Sequence, residues 1–175
     1  MLAEVLPEEL KKDLHFMEAS VLSTELENGN CDCALVPTCD LLKHSHFFVS
    51  SKIAISFDGL LSNAFFYFMP DQNSFSDIYM KGDISTNEII LSKILFKEKY
   101  SADIQIHLET GSIDPSAKNY LIAGDANLEK GRFNSGLSFS DEISEMLFMP
   151  AIFLCFERIE TAGASIFTIV YFGTL

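Results

Sequence analysis

Tryptophan is absent from this chain, cysteine and proline are scarce at 4 and 5 residues, and basic side chains are few: 12 Lys plus Arg stand against 25 Asp plus Glu, for a formal charge of −13. The shortage of positive charge excludes a nucleic-acid partner. A surface this acidic repels a polyphosphate backbone, and the 16 Phe are not interleaved with the basic stripes that single-strand binding needs. Long apolar runs are missing too. The two longest, Met146 to Phe156 and Ser165 to Phe172, fall short of the ~20 residues required to cross a bilayer. The amino-terminal MLAEVLPEELKKD has neither the basic start nor the apolar stretch of an export signal. Cys31, Cys33, Cys39 and Cys155 lack the spacing of a disulfide framework, so free thiols and a reducing cytoplasm are expected.

What is present is a globular composition, 48% apolar and 21% charged over 175 residues. That length accommodates one compact domain, or two small lobes sharing strands. Helices are predicted over Pro7 to Met17, from a cap at Ser20 to a stop at Asn28-Gly29, over Ser85 to Lys99 with Ser85 or Thr86 as cap, and over Ser138 to Phe148. In the third of these the amphipathic repeat is carried by Ile89, Ile90, Lys93, Ile94 and Lys97. Strands are predicted at CDCALVP ending on Pro37, at Lys52 to Ser56, along Gly59 to Met69, at Asp77 to Lys81, in ADIQIHLE, at Tyr120 to Asp125, and in AIFLCFE and SIFTIVYFG. Such alternation implies an α/β fold with a largely parallel sheet.

Several chemistries can be weighed from residue types. Cys31, Cys33, Cys39, His44 and His46 could surround zinc, but paired Cys knuckles are absent and buried structural thiols fit the spacing better; no metal is expected. Without a Gly-x-Gly-x-x-Gly, a Walker loop or a Gly-x-Ser-x-Gly elbow, dinucleotide, P-loop and serine-hydrolase chemistries lose their support, and no cofactor is implied. Small polar residues do gather at strand ends: Thr38, Ser56 to Gly59, Ser62, Asn63, Ser85, Thr86, Asn87, Gly124 and Asp125. In an α/β sheet, strand carboxyl ends and helix N-termini form the ligand crevice, where backbone N–H groups hold an anion without arginine. Taken singly, each of these residues reads as a cap or a turn.

Their order in the chain carries more. ELENGNCDCALVPT, FDGLLSNAFFY, GDISTNEIILSKILF, YLIAGDANL and FMPAIFLCFE follow one another in a sequence that resembles the menaquinone-biosynthesis family of the futalosine pathway, within it the chorismate dehydratase branch. A Gly-x-x-Asp-x-Ala-Leu-x-Pro-Ser strand of that family is matched by Gly29, Asp32, Ala34, Leu35, Pro37 and Thr38. Its Ile-Gly-Asp-x-Ala-Leu turn is matched by Gly124, Asp125 and Leu128, with Ala123 for Ile and Asn127 for Ala. Its Leu-Pro-Phe-Val-Phe-Ala strand is echoed by Met149 to Leu154, and the likeness runs from about Leu6 to Glu157.

The resemblance implies a fold like type II periplasmic binding proteins, two lobes joined by crossing strands. Lobe 1 would take residues 1–56 plus 150–175 with its first strand missing, and lobe 2 residues 57–149. It also implies a hydro-lyase converting chorismate to 3-enolpyruvylbenzoate, with Asn63 and Ser85 as catalytic residues and Thr38, Gly59, Ser62, Thr86, Asn87, Gly124 and Asp125 binding the small-molecule carboxylate. Asp125 reads as a turn residue rather than a base, and no general base stands out. Departures from the family pattern are Glu4 for an Asn before Pro7, Asn63 for a Ser, Asn87 and Glu88 for the last two residues of Ser-x-Thr-Ser, and the missing Trp. These favour the competing reading of a non-catalytic small-anion-binding module of the same fold. A truncated product with an unpaired sheet edge, open to homodimerisation, is the third.

Overall fold

A computed structural model describes residues 8–57, 62–72, 75–114, 116–124, 127, 136–148, 151–158 and 169–170. The chain divides into two compact units: Met1–Ile55 with Ile152–Gly173, and Ser56–Ala151. Strand β2 (Phe48–Phe57) leads from the first unit into the second, and β8 (Ala151–Arg158) leads back.

In the first unit a single helical turn, Glu8–Lys11, precedes helix α1, Ala19–Glu27. The long helix expected over Pro7 to Met17 therefore stops after one turn among the described residues. Glu18 rather than Ser20 is the N-cap of α1, and no side chain caps it there. The C-terminal signal is realised: Asn28 is the C-cap, and Gly29 takes φ +73°, donating its N–H to Leu26 while Asn30 reaches back to Glu25. Leu22 and Leu26 on the inner face of α1 pack with Cys31, Ala34, Val36 and Phe47. Ala34 and Val36 belong to β1, Cys33–Pro37, which is buried throughout and is followed by a 3-10 helix, Thr38–Leu42. The sheet order is β2-β8-β1-β9, where β9 is Ile169–Val170; β1 runs antiparallel to β8 and parallel to β9.

The second unit holds a five-stranded sheet in the order β5-β4-β6-β3-β7. Its strands are β3 (Ala64–Tyr67), β4 (Asp77–Gly82), β5 (Gln105–Leu108), β6 (Tyr120–Ala123) and β7 (Leu137–Ser138). β5, β4 and β6 are parallel to one another, whereas β3 is antiparallel to both β6 and β7. The α/β class is as expected, but the sheets are mixed rather than largely parallel. Helix α2 (Thr86–Tyr100) connects β4 to β5 as a crossover that enforces parallel pairing. No helix intervenes between β3 and β4 among the described residues, so nothing constrains β3 to run the same way. β3 is also shorter than the strand expected from Gly59, because Ser62 and Asn63 precede it in a polar turn.

Register places Phe66, Leu121 and Met80 on one face and Tyr67, Tyr120 and Tyr79 on the other. Phe66 packs edge-on against Phe96 of α2 and Phe139 of α3, Phe139–Leu147, at ring distances of 5.4 and 5.9 Å. This packing selects the buried side of α2. Leu95, Phe96, Ser92 and Glu88 are buried while Ile94 is 42% exposed, so the isoleucine stripe read from the sequence is not the core face. Among the described residues, no helix is long and apolar enough to cross a membrane.

Candidate functional site

One edge of the five-stranded sheet collects most of the sequence-derived candidates. The carboxyl ends of β4 and β6 lie side by side, Gly82 opposite Ala123, and the antiparallel β3 begins at that same edge with Ala64 opposite Ala123. Helix α2 starts there after three intervening residues beyond β4, and α3 starts there directly after β7. Ser62, Asn63, Gly124 and the segment Ser85 to Asn87 thus share an edge because strand polarity delivers every one of their elements to it.

Glycines make the close approach feasible. Gly82 has φ +95°, and a Cβ there would stand 1.9 Å from the Ala123 carbonyl oxygen. Gly124 has φ +90°, and a Cβ on it would come within 3.5 Å of the Asp83 side chain. Across the β6 end, the Gly124 N–H donates to the Asn63 carbonyl at 2.8 Å and the Asp83 N–H to the Ala123 carbonyl at 3.2 Å. Asn127 ties these ends together. Its Nδ2 donates to the carbonyls of Ile122 at 2.6 Å and Asn63 at 3.0 Å, and its Oδ1 accepts from the Tyr67 hydroxyl at 2.9 Å. In the sequence Asn127 stood out only as a departure from a family pattern; the structure makes it the clamp of the edge.

Ser62 and Ser85 are both engaged in local structure. The Ser62 hydroxyl donates to the Ala64 carbonyl at 2.6 Å and accepts the Ser140 N–H of α3 at 3.4 Å. The Ser85 hydroxyl accepts the Asn87 N–H at 3.2 Å and donates to Glu88, whose carboxylate also takes the Ser85 N–H at 2.8 Å. This is a complete capping box, legible in advance as Ser-x-x-Glu. Glu88 is a residue the sequence reading passed over as a mere replacement. Burial pushes its carboxyl above the usual carboxylate range, opposed by the two hydrogen bonds from Ser85. Its position fills the positive end of α2 with the protein's own acid, and Ser85 and Asn87 are buried beside it. Thr86, half-buried, contributes an N–H that the box does not use.

The second helix start has a serine cap without the reciprocal carboxylate of a capping box. Ser138 caps α3 by accepting the Asp141 N–H at 3.3 Å, and Ser140 follows it into the edge. Asn63 spends its backbone oxygen on Gly124 and Asn127, while its half-buried side chain stands at the head of β3. Thr38 belongs to the other unit, as the first residue of the 3-10 helix after β1. Gly59 and Asp125 lie outside the described residues. The edge can therefore offer a small anion the Asn63 carboxamide and the Thr86 amide and hydroxyl, beside two helix starts that already carry acids of the chain, Glu88 on α2 and Asp141 and Glu142 on α3. No protein-family model matches this chain, and no curated protein does.

Proposed function

We propose that the protein binds a small cyclic carboxylate at the clamped edge of its five-stranded sheet and acts on it as a hydro-lyase of the chorismate dehydratase type. The observation that supports this reading is the meeting of Asn63, Gly124 and the α2 N-terminus at one sheet edge, joined through Asn127 and the paired ends of β4 and β6. These segments come from separate motifs of the family resemblance, which gives their order in the chain a spatial meaning. The two chain crossings, at β2 and β8, fit a two-lobe architecture of the type II periplasmic-binding-protein kind.

In the reaction, chorismate loses its ring hydroxyl and a ring proton as one water, and aromatisation to 3-enolpyruvylbenzoate drives the step forward. Asn63 would orient the ring or the enolpyruvyl group, and Thr86 would meet a carboxylate with the N–H and hydroxyl that the capping box leaves unused. A second reading, binding without turnover, is favoured by the cap itself: the Ser85 hydroxyl, expected to be catalytic, is committed to Asn87 and Glu88. Incubation with chorismate, followed by the loss of diene absorbance and by mass analysis of the product, separates the two. Turnover that falls in Asn63→Ala supports the hydro-lyase. A chorismate-dependent rise in melting temperature without turnover supports the binding module. Absence of both turnover and stabilisation would overturn the assignment of this edge as a carboxylate site.

A further inference from the structure

The first unit carries a second cluster of chemistry-bearing side chains that the carboxylate site does not use. Glu27 is the last residue of α1, and His44 and His46 lie in the turn after the 3-10 helix; one ligand atom from each falls within 4.8 Å of the others. The turn is pinned to the helix. The buried Ser23 hydroxyl of α1 donates to the buried Asp40 carboxylate, and the Asp40 carbonyl accepts the N–H groups of Lys43 and His44 at 2.9 and 3.0 Å. The two rings are held as well. His44 stacks on buried Phe47 at 4.8 Å and 6°, and His46 meets the same ring edge-on at 4.9 Å.

His44 Nδ1 is the informative atom. It is shut off from solvent, makes no hydrogen bond, and yet lies 3.2 Å from Glu27 Oε2. A nitrogen and a carboxylate oxygen held that close are stabilised by positive charge, either a proton on the ring or a cation bound by both; the geometry of a hydrogen bond is missing, which leaves room for the cation. Two donor atoms on a tetrahedral ion with bonds of ~2.0–2.1 Å stand ~3.3 Å apart, which matches the observed gap. Further attraction for a cation comes from the negative C-terminal end of α1, where Glu27 sits, and from the acidic surplus of the chain.

We propose that Glu27, His44 and His46 form a binding site for a divalent transition-metal ion, zinc being the ion best suited to a two-imidazole, one-carboxylate set. Glu27 and His46 are exposed, so water completes the coordination. The thiols first considered for zinc do not join this group among the described residues. Burial pushes the Cys31 thiol up to about 11, which keeps it protonated and a poor ligand.

The test uses the full chain, stripped with chelator and titrated with Zn2+ by calorimetry and with Co2+ by visible absorption. One equivalent of each should bind, with Co2+ showing ligand-field bands and no thiolate charge-transfer band. His46→Ala and Glu27→Gln change exposed side chains and should fold; each should weaken binding by about tenfold or more, while a Cys31→Ser, Cys33→Ser double variant binds as the parent does. Absence of saturable binding, binding unaltered by His46→Ala and Glu27→Gln, or a charge-transfer band that disappears in the cysteine variant would each overturn the proposal. The metal readout is independent of chorismate, so its failure leaves the carboxylate reading standing.

Discussion

Asn127 offers the most direct measure of how the sheet edge is held. Replacing it with alanine removes the donor to the Ile122 and Asn63 carbonyls and the acceptor of the Tyr67 hydroxyl, three bonds of 2.6 to 3.0 Å. At about 1 kcal/mol net for each intramolecular hydrogen bond, less where water can substitute at this half-buried position, Asn127→Ala should lose about 2–3 kcal/mol. Asn127→Asp is the sharper test. It keeps an acceptor for Tyr67 but turns carboxylate lone pairs toward two carbonyl oxygens, so at neutral pH it should lose about 1 kcal/mol more than the alanine variant. Its introduced carboxyl is raised in the folded state by those oxygens, so stability returns as pH falls and the carboxyl gains a proton that can again be donated. With no Trp in the chain, urea unfolding followed by far-ultraviolet circular dichroism is the suitable assay. If Asn127→Ala loses less than about 0.5 kcal/mol, or the aspartate and alanine variants coincide at neutral pH, then Asn127 does not clamp the edge.

Two further substitutions probe the same region. Glu88 has its carboxyl raised by burial, so the native state binds a proton more tightly than the unfolded chain; the stability this contributes is full below the ordinary carboxylate range and is lost as pH rises through the folded value. Glu88→Gln keeps an acceptor for Ser85, and should flatten that dependence and raise the melting temperature at pH 8 relative to the parent; melting curves that shift in parallel at every pH would refute this. Gly82→Ala must accommodate a Cβ 1.9 Å from a backbone oxygen at φ +95°, and should cost upwards of about 2 kcal/mol in urea unfolding, whereas an unchanged midpoint would mean that β4 and β6 can separate freely.

Local signals were legible where the physics is local. The stop of α1 at Asn28-Gly29 and the end of β1 at Pro37 follow from backbone conformation and are present in the structure, β4 ends at Gly82, one residue beyond the expected Lys81, and of Ser85 and Thr86 it is Ser85 that caps α2. The Ser-x-x-Glu box around Ser85 is readable by the same logic, and it decides between Ser85 and Thr86, which the capping preference alone left open. The isoleucine face of α2 misled because periodicity identifies an apolar stripe without saying which aromatic partners await it; Phe66, Phe68 and Phe75 draw Phe96 inward and leave Ile94 outside.

The chain alone thus determined the α/β alternation, the stop of α1, the cap of α2 and the acidic, arginine-poor composition, though not the start of α1. Tertiary structure decided the rest. Strand polarity, which no window of residues encodes, put Asn63 beside Gly124 although 61 positions separate them, and turned Asn127 from a substitution into a clamp. In the first unit the packing of a buried serine on a buried aspartate brought Glu27 to His44 across 17 residues. Hydrogen bonds and ion contacts between distant segments exist only after chain entropy has been overcome by burial of the core. The residues that share a site are therefore fixed by the fold, while the residues that can shape a turn are written in the sequence.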